Sequence, residues 1–167
     1  GLLELYETTF ETDYLKIALD FNRDLMEHFR DNINGGFYFT ANDAESILVR
    51  QKQIYDGAVP SGNSVAMLNL LRLARLTADT EHEQRAARIG AAFSEQVHQQ
   101  PSAYTQLMVA LDFAVGPSYE VVIAGSPAGN DTRAMVAAIR HRFIPNKIVI
   151  LRPTDEPSPH IDNIAPF

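Results

Sequence analysis

Residues 56–76, DGAVPSGNSVAMLNLLRLARL, place a polar loop directly before a strongly apolar helix. The loop is built from glycine, proline, serine and asparagine, which are residue types that favour turns. The helix predicted over residues 61–77 has only a narrow polar stripe, Asn69, Arg72 and Arg75, and should be an inner helix packed on nearly every side. Its polar start has two interpretations: a helix N-terminus that faces a ligand, or a well-capped helix start.

An internal repeat surrounds this helix. A shift of 68 residues aligns Leu2 with Leu70, Leu3 with Leu71, Leu5 with Leu73, Thr9 with Thr77, Thr12 with Thr80, and Ala18 with Ala86. Each copy reads as a helix end, a short loop that contains threonine, and an amphipathic helix. These amphipathic helices should be outer helices, with their apolar faces formed by Phe10, Tyr14, Ile17, Phe21, Leu25 and Phe29 in the first copy and by Ala86, Ile89, Phe93 and Val97 in the second.

The other segments predict a small amount of β structure. Two β-prone runs, FYFT and ILVRQ, are expected to form a β-hairpin near residues 36–50, and a third inner helix is expected over about residues 102–115. Residues 117–153 contain the apolar runs YEVVIAG and KIVIL around an amphipathic helix, which is typical of a βαβ unit. That helix should pack through Met135, Ala138, Ile139 and Phe143, and the proline-rich residues 154–167 should form an extended tail.

The composition excludes several classes of function. The 167 residues include 14 lysines and arginines and 21 aspartates and glutamates, and the net charge of −7 argues against binding to nucleic acid or to an anionic membrane. No apolar run predicts a membrane span, and no signal peptide is apparent. The chain has no cysteine, which excludes thiolate chemistry and agrees with a reducing compartment. A cytoplasmic location is therefore expected.

The charge is unevenly distributed along the chain. Residues 119–153 carry more basic than acidic side chains, the basic ones being Arg133, Arg140, Arg142, Lys147 and Arg152. The surplus is too small to indicate a polyanionic partner, and a solvated surface explains it. At the other end, residues 2–6 read as a helix without a capping residue before it, so the chain is expected to be a piece of a longer protein.

Several short segments of the sequence resemble the C-terminal third of the spermatogenesis-associated, thioredoxin-like protein family. In order, they are GGFYFT, LVRQKQIYDGAVPSGNS, LLRLARLT, LMVALDFAVGPSYEVVIAG and FIPNKIVILRP. Members of that family have an N-terminal thioredoxin-like domain, which has no counterpart here, and a large helical toroid. The resemblance implies a mainly α fold with minor β: an incomplete (α/α) toroid over residues 1–116, similar to six-hairpin glycosidases and sugar 2-epimerases, and the βαβ unit over residues 117–153.

Asp56 is the candidate catalytic residue within this expected fold. A carboxylate in a glycine-flanked loop beside an inner helix can face the central cavity of a toroid, where apolar walls would raise its pKa and suit it to general acid or base chemistry. The alternative is a turn aspartate whose oxygens accept hydrogen bonds from backbone amides. The sequence favours this structural alternative slightly.

The candidate ligand-binding residues are those that could meet the hydroxyl groups or the ring of a sugar: Tyr38, Ser61, Asn63, Ser64 and Gln106. Structural alternatives exist for each, since Ser61 also suits a helix N-cap and Tyr38 also suits a solvent-exposed strand. The five histidines have no metal-ligand spacing, and no metal or other cofactor is expected. The loop GSPAG, residues 125–129, has two glycines near a helix start but lacks a phosphate-binding motif, so an ordinary turn is the preferred interpretation.

Two main functions of different classes remain at this point, and a third, nucleotide binding at the βαβ unit, rests only on the glycine loop of residues 125–129. The first is a fragment of a thioredoxin-linked toroid protein that binds or modifies a carbohydrate-like ligand in its full-length form, the fragment alone being inactive because part of the cavity wall is missing. The second is a non-catalytic interaction or structural module that packs against the remainder of its parent chain or against another copy. In either case an exposed apolar seam should cause self-association.

Overall fold

The structure, a computed structural model, describes residues 1–45 and 48–166. These residues form seven α-helices: α1 (Leu2–Thr9), α2 (Thr12–His28), α3 (Gly62–Thr77), α4 (Thr80–Ala92), α5 (Ser94–Gln99), α6 (Thr105–Val115) and α7 (Asn130–Arg140). Two short strands, β1 (Tyr119–Ala124) and β2 (Lys147–Arg152), pair in parallel. The prediction of a mainly helical fold with minor β structure is therefore confirmed.

The hairpins α1–α2 and α3–α4 share one connection geometry. Helices α1 and α3 end at Thr9 and Thr77, and each threonine Oγ1 donates to the carbonyl oxygen four residues earlier at 2.8 Å. The next residues, Phe10 and Ala78, both adopt the left-handed conformation, with φ of 59° and 55°. The second helix of each hairpin begins two residues further on. The predicted 68-residue repeat is confirmed as a structural repeat of two helical hairpins.

Helix α3 lies at the centre of the core, as its apolar sequence predicts. It packs against both α4 and α6, and its buried residues are Asn63, Ser64, Ala66, Met67, Leu70, Leu71, Arg72, Leu73, Ala74 and Leu76. In α2, by contrast, the buried residue is Leu15 alone. The assignment of α3 as an inner helix and α2 as an outer helix is thus confirmed.

The predicted burial of the apolar faces of the outer helices is confirmed in the second hairpin and only partly in the first. In the second hairpin all four predicted residues are buried: Ala86, Ile89, Phe93 and Val97. The helix itself is interrupted at Phe93, which separates α4 from α5. In the first hairpin the prediction is partly wrong, because Ile17 and Phe21 are 41% and 62% exposed. Among the described residues, no element covers these two side chains fully.

The small parallel sheet is attached to the helical core through β2. The register pairs Tyr119 with Lys147 and Ala124 with Arg152, and α7 lies between the two strands in the chain. Ile148 and Ile150 belong to the main core, whereas Val149, Leu151 and the β1 residue Ile123 form a second cluster with the α7 residues Val136 and Ile139. Strand β2 is therefore covered on both faces, while β1 is covered on one.

The face of α7 that packs on the sheet differs in part from the predicted one, since Ile139 packs there as predicted whereas Ala138 is exposed. Met135 and Phe143 are 54% and 94% exposed, and the helix packs through Val136 and Ile139, with Thr132 buried at its start. Residues 132, 136 and 139 follow the helical period as well as the predicted set does. The position of the sheet, rather than the helix sequence, selects between these two faces.

The β-hairpin predicted near residues 36–50 does not form a paired ladder in the described residues 36–45 and 48–50; Ser46 and Ile47 lie outside the described residues. One isolated antiparallel bridge joins Arg30 and Phe37, and the amide of Phe39 donates to the carbonyl oxygen of Gln51 at 2.8 Å. Further backbone bonds, from the amides of Asp31 and Tyr38 to the carbonyl oxygens of Gly36 and Phe29, hold the segment together with side-chain bonds.

The ends of two other predicted elements also differ. Helix α6 begins at Thr105 and not near residue 102, because Pro101–Ala103 forms a 3-10 turn before it. The C-terminal tail is not simply extended, since His160–Asn163 forms a second 3-10 turn. Ile161 and Ala165 are buried in the main core. Burial of these apolar side chains holds the tail against the core. The proline-rich composition of the tail does not predict this contact.

Candidate functional site

Asp56 joins the N-termini of two helices through one carboxylate. Its Oδ1 accepts a hydrogen bond from the amide of Ser61 at 2.8 Å. Its Oδ2 accepts from the hydroxyl of Ser64 at 3.0 Å and from the amides of Gln106 and Leu107 at 2.9 and 3.1 Å. The carboxylate thus receives four hydrogen bonds from the protein, at the start of α3 and at the start of α6.

The arrangement satisfies a need that α6 cannot meet by itself. The first amides of a helix have no partner within the helix and carry its positive dipole end, so a carboxylate is a favourable acceptor for them. No side chain at the residue before α6, Tyr104, accepts from these amides. Asp56 is the acceptor for these amides although it lies far from α6 in the sequence. Its side chain is buried, with 9% of the residue exposed. The geometry therefore supplies a structural role for Asp56, and its catalytic role stays a prediction.

Ser61 and Ser64 extend the same network. The Ser61 Oγ accepts from the amide of Ser64 at 3.1 Å, as expected of a helix N-cap. The Ser61 hydroxyl also donates to the Ser64 Oγ at 2.8 Å, and the Ser64 hydroxyl donates to Asp56. Ser64 has no exposed surface. The polar loop that precedes α3 is therefore a buried hydrogen-bonded cap in which the protein itself occupies the donors and acceptors.

Asn63 faces the opposite side of the helix start and binds the chain near Phe37. Its Oδ1 accepts from the amide of Phe37 at 2.7 Å, and its Nδ2 donates to the carbonyl oxygens of Phe37 and Gln53 at 2.9 and 2.8 Å. Asn63 is 3% exposed. Gly36 is required beside it, because its φ is +75° and a Cβ there would lie 3.0 Å from the Asn63 Oδ1. One amide side chain thus replaces part of the predicted hairpin ladder.

Tyr38 belongs to a separate polar cluster around Asp31. The Tyr38 hydroxyl donates to the Asp31 Oδ2 at 3.0 Å, and the Lys52 Nζ lies 2.8 Å from the same oxygen. The backbone amide of Asn34 and then Lys52 hold the pKa of Asp31 well below its ordinary value. The guanidinium of Arg50 lies 4.2 Å from the centre of the Tyr38 ring and covers one face of it. This face of the ring is therefore already in contact with a cation of the protein.

The predicted site residues therefore separate into groups. Asp56, Ser61, Ser64 and the backbone of Gln106 form one network, Asn63 has other partners, and Tyr38 lies in the Asp31 cluster. The side chain of Gln106 reaches a groove between α1, α2 and α3 that has a volume of about 460 Å³. Within the described part of the chain, no group of three or more acidic or histidine side chains is placed to hold a metal ion.

A charged group that the sequence analysis did not assign lies on the inner helices. The Arg72 side chain of α3 is 10% exposed and forms ion pairs with Glu4 and Glu7 of α1. The Arg72 Nη2 lies 3.2 Å from the Glu7 Oε1. Burial raises the pKa of Glu7, and Arg72 opposes this rise without cancelling it. Carboxylates of the first hairpin thus compensate the guanidinium charge of Arg72 in the second.

The 68-residue repeat contains the signal that could have identified this cluster. Glu4 and Arg72 occupy equivalent positions of the two hairpins, so they lie at the same height on neighbouring helices of the same type. Opposite charges at equivalent positions of adjacent repeats are therefore expected to meet. The polar stripe of α3 also marked Arg72 as the polar residue of an otherwise apolar helix.

His82 is a buried titratable group at the start of α4. Its Nδ1 has no hydrogen-bond partner among the described residues, and its Nε2 lies 3.8 Å from the Asp79 Oδ2. Burial lowers the pKa of His82 below its ordinary value, and the neighbouring Asp79 offsets only part of this effect. Protonation of His82 is therefore disfavoured in the folded protein.

We expect stability to fall as the pH falls below 6.5, the ordinary pKa of histidine. Between this value and the lowered pKa of His82, the unfolded chain binds a proton at this position that the folded protein does not bind, so acidification favours unfolding. The variant His82→Leu should lack this part of the pH dependence. Urea denaturation of both proteins between about pH 5 and 8 measures the difference, and parallel stability curves would contradict the assignment to His82.

Comparison with known proteins is consistent with the resemblance found in the sequence. Spermatogenesis-associated protein 20 of Rattus norvegicus and that of Homo sapiens are each 34% identical to this chain over 168 residues. Each match covers 100% of the chain and 21% of the relative. The chain belongs to the spermatogenesis-associated protein 20 family. It corresponds to the C-terminal part of that family.

The spermatogenesis-associated protein 20 relatives are much longer than the chain, which spans about a fifth of their length. An uncharacterised protein of Caenorhabditis elegans is 27% identical over 150 residues, which is 90% of this chain and 20% of that protein. No family model matches the chain. Within the described residues, no helix has the length and apolar character needed to cross a membrane.

Proposed function

We propose that this chain is a non-catalytic structural and interaction module, one section of an incomplete (α/α) toroid. Its open face, defined here as the exposed apolar residues Leu5, Ile17 and Phe21 of α1 and α2, packs against a further helical hairpin of the longer polypeptide. Support comes from the length of the family relatives, of which this chain spans about a fifth. Further helices of the same polypeptide are therefore the expected occupant of the open face.

The observation that carries this proposal is a difference between equivalent positions of the two hairpins. Leu73 and Ile89 of the second hairpin are 2% and 1% exposed. Their equivalents in the first hairpin, Leu5 and Phe21, are 45% and 62% exposed. Because the two hairpins have the same connection geometry, the same positions are expected to be covered in both. The first hairpin lacks a covering neighbour among the described residues, and a preceding hairpin of the same type would supply one.

The groove of about 460 Å³ beside this face is also suited to a helix. It is lined largely by apolar side chains of α1, α2 and α3, which include Leu2, Ala18, Leu25 and Val65. Complete burial of one side chain of the size of Phe21 contributes about 1.5–3 kcal/mol to association. An amphipathic helix with its apolar face in this groove would therefore gain stability from several such side chains.

The carbohydrate-ligand hypothesis receives less support from the geometry. Its proposed contacts at Asp56, Ser61, Asn63 and Ser64 are buried and hydrogen-bonded within the protein. A sugar hydroxyl would have to displace these bonds and also open the start of α3. The interaction module requires no such rearrangement, since its contact residues are already exposed.

The test compares Phe21→Glu in two settings. In the isolated chain the substituted side chain is solvated, and the free energy of unfolding should change by no more than about 0.5 kcal/mol. In the full-length polypeptide that carries this sequence, the same substitution would bury a carboxylate without a partner and should cost about 3 kcal/mol or more. Ile33→Glu is the control, since Ile33 is 91% exposed and lies outside the open face. An equally small effect of Phe21→Glu in both settings would refute the proposal.

Sedimentation provides a second readout on the isolated chain. The open face should cause self-association at high micromolar concentration and should bind a hydrophobic dye. Phe21→Glu should reduce both signals, whereas Ile33→Glu should leave them unchanged. A wild-type chain that is strictly monomeric and does not bind the dye would contradict an uncovered apolar face.

A further inference from the structure

The second large groove of the molecule lies between α1, α3, α6 and residues 140–147. It has a volume of about 640 Å³. The charged residues of its lining are Glu4, Glu7, Arg72, Arg140, Arg142 and Lys147. Permanent cations thus outnumber carboxylates in the groove, although the whole chain has a net charge of −7. The fold brings three basic residues of the C-terminal segment together with the buried arginine of α3.

Among the described residues, Arg140, Arg142 and Lys147 of the groove form no direct ion pair, although the charge of Lys147 acts on Glu7. Arg72 is compensated by Glu4 and Glu7. Arg140 donates instead to the carbonyl oxygens of Glu7 and Thr8 at 3.1 and 2.6 Å, which are uncharged groups at the end of α1. Lys147 donates to the carbonyl oxygen of Ile144 at 3.1 Å. Such bonds orient the two cations while leaving their charge available to an anion.

Glu7 is a half-buried carboxylate of the groove, and the charges of Arg72 and Lys147 both act on it. Burial favours the neutral form of its carboxyl and raises its pKa. The groove is partly closed by protein, so its field is screened less than that of a flat surface. The electrostatics of the groove therefore favour a negatively charged occupant.

The same groove also has apolar walls. Leu68, Val109, Phe113 and Phe143 line it together with Ile144 and Pro145. Val109 is 47% exposed and Phe143 is 94% exposed, so both present apolar surface to the solvent. Small-molecule sites commonly combine an apolar lining with a few charged groups that fix orientation. A purely inorganic anion would leave this apolar surface unused.

We propose that this groove binds a small organic anion, either a phosphate ester or a carboxylate, that carries an apolar group. The cationic side chains receive the anionic group, and Val109 and Phe143 contact the apolar group. This site shares no residue with the network around Asp56, and it shares Glu4, Leu68 and Arg72 with the groove of about 460 Å³ beside the open face.

The test is a titration of the chain with phenyl phosphate and with benzoate at constant ionic strength. Binding is measured by NMR from the changes in amide chemical shifts. At least one of these probes should shift amides of residues 140–147 and of α6, and inorganic phosphate and phenol should each bind more weakly than that probe. The double variant Arg142→Gln/Lys147→Gln should weaken binding about tenfold, which corresponds to the loss of one charge-assisted hydrogen bond. Arg23→Gln, on α2 and outside the groove, should change it by less than about twofold.

A substitution of opposite sign separates binding from structural damage. Glu4→Gln removes a carboxylate from the groove and releases Arg72 from one ion pair, so it should strengthen binding about two- to threefold. Damage to the fold would weaken binding in this variant also. The proposal is overturned if phenol shifts the same amides as strongly as the anionic probes, or if the double variant binds them as well as the wild type does.

Discussion

Replacement of Asp56 with alanine should lower the free energy of unfolding by about 4 kcal/mol. Four donors lose their shared acceptor: the amides of Ser61, Gln106 and Leu107 and the hydroxyl of Ser64. Hydrogen bonds to a charged group contribute about 1.5–3 kcal/mol each, but bonds to one carboxylate are not additive. The starts of α3 and α6 lose their common cap in one step. Urea denaturation of the wild type and the variant measures the loss.

Two further variants define what this loss means. Ser61→Ala removes the N-cap of α3 alone and should cost about 1 kcal/mol. Asp56→Asn keeps the size of the side chain but replaces one acceptor oxygen with a donor, so its cost should lie between those of the other two variants. If Asp56→Ala costs no more than Ser61→Ala, the shared cap is not a main source of stability, and the catalytic hypothesis for Asp56 gains weight.

Replacement of Asn63 with alanine should lower the free energy of unfolding by about 3 kcal/mol. The buried amide of Phe37 and the carbonyl oxygens of Phe37 and Gln53 would lose their partner. A buried polar group without a partner costs about 1–3 kcal/mol, and partial rearrangement reduces the sum. Backbone bonds of the same segment, such as that from the amide of Tyr38 to the carbonyl oxygen of Phe29, limit the loss. Thermal unfolding and hydrogen exchange of the amide of Phe37 provide the measurement.

The isosteric variant Asn63→Asp is the more demanding test. It retains an oxygen for the amide of Phe37, but it places a second oxygen against two carbonyl oxygens in place of the amide donor. We expect a loss at least as large as that of Asn63→Ala. Asn69→Ala, on the same helix but only half-buried, is the control and should change stability by less than about 0.5 kcal/mol. A tolerated Asn63→Asp would mean that Asn63 does not hold this segment as described.

The local parts of the fold could be predicted well. The inner position of α3 follows from its composition, because a helix with one narrow polar stripe cannot be stable with a broad face in water. The two hairpins follow from the 68-residue repeat, which predicted a short loop between the helices of each copy. Phe10, predicted on the apolar face of the outer helix, lies instead in this loop, as Ala78 does in the other copy. The N-cap role of Ser61 was one of the two interpretations of its loop. Each of these features depends on residues that are close together in the chain or on a direct match between two segments.

The parts that were predicted wrongly depend on where distant elements pack. Ile17 and Phe21 have the periodicity of a buried face, but burial also requires a neighbour to cover them. The face of α7 was misassigned because two sets of its side chains have the correct spacing, and the sheet covers only one of them. The β-prone run near Phe37 pairs with the side chain of Asn63 more than with a second strand.

The sequence by itself determined the helical class, the repeat, the inner and outer helices and the clustering of polar residues before α3. Only the tertiary structure decided what those polar residues bind: Asp56 meets the amides of Gln106 and Leu107 about fifty residues away, and Arg72 meets Glu4 and Glu7 of the other hairpin. The physical reason is that periodicity and composition report which side chains leave water, which is a property of each segment. The partner of a buried charge depends on the directions in which distant segments approach one another, and a hydrogen bond forms only within a narrow range of distance and angle.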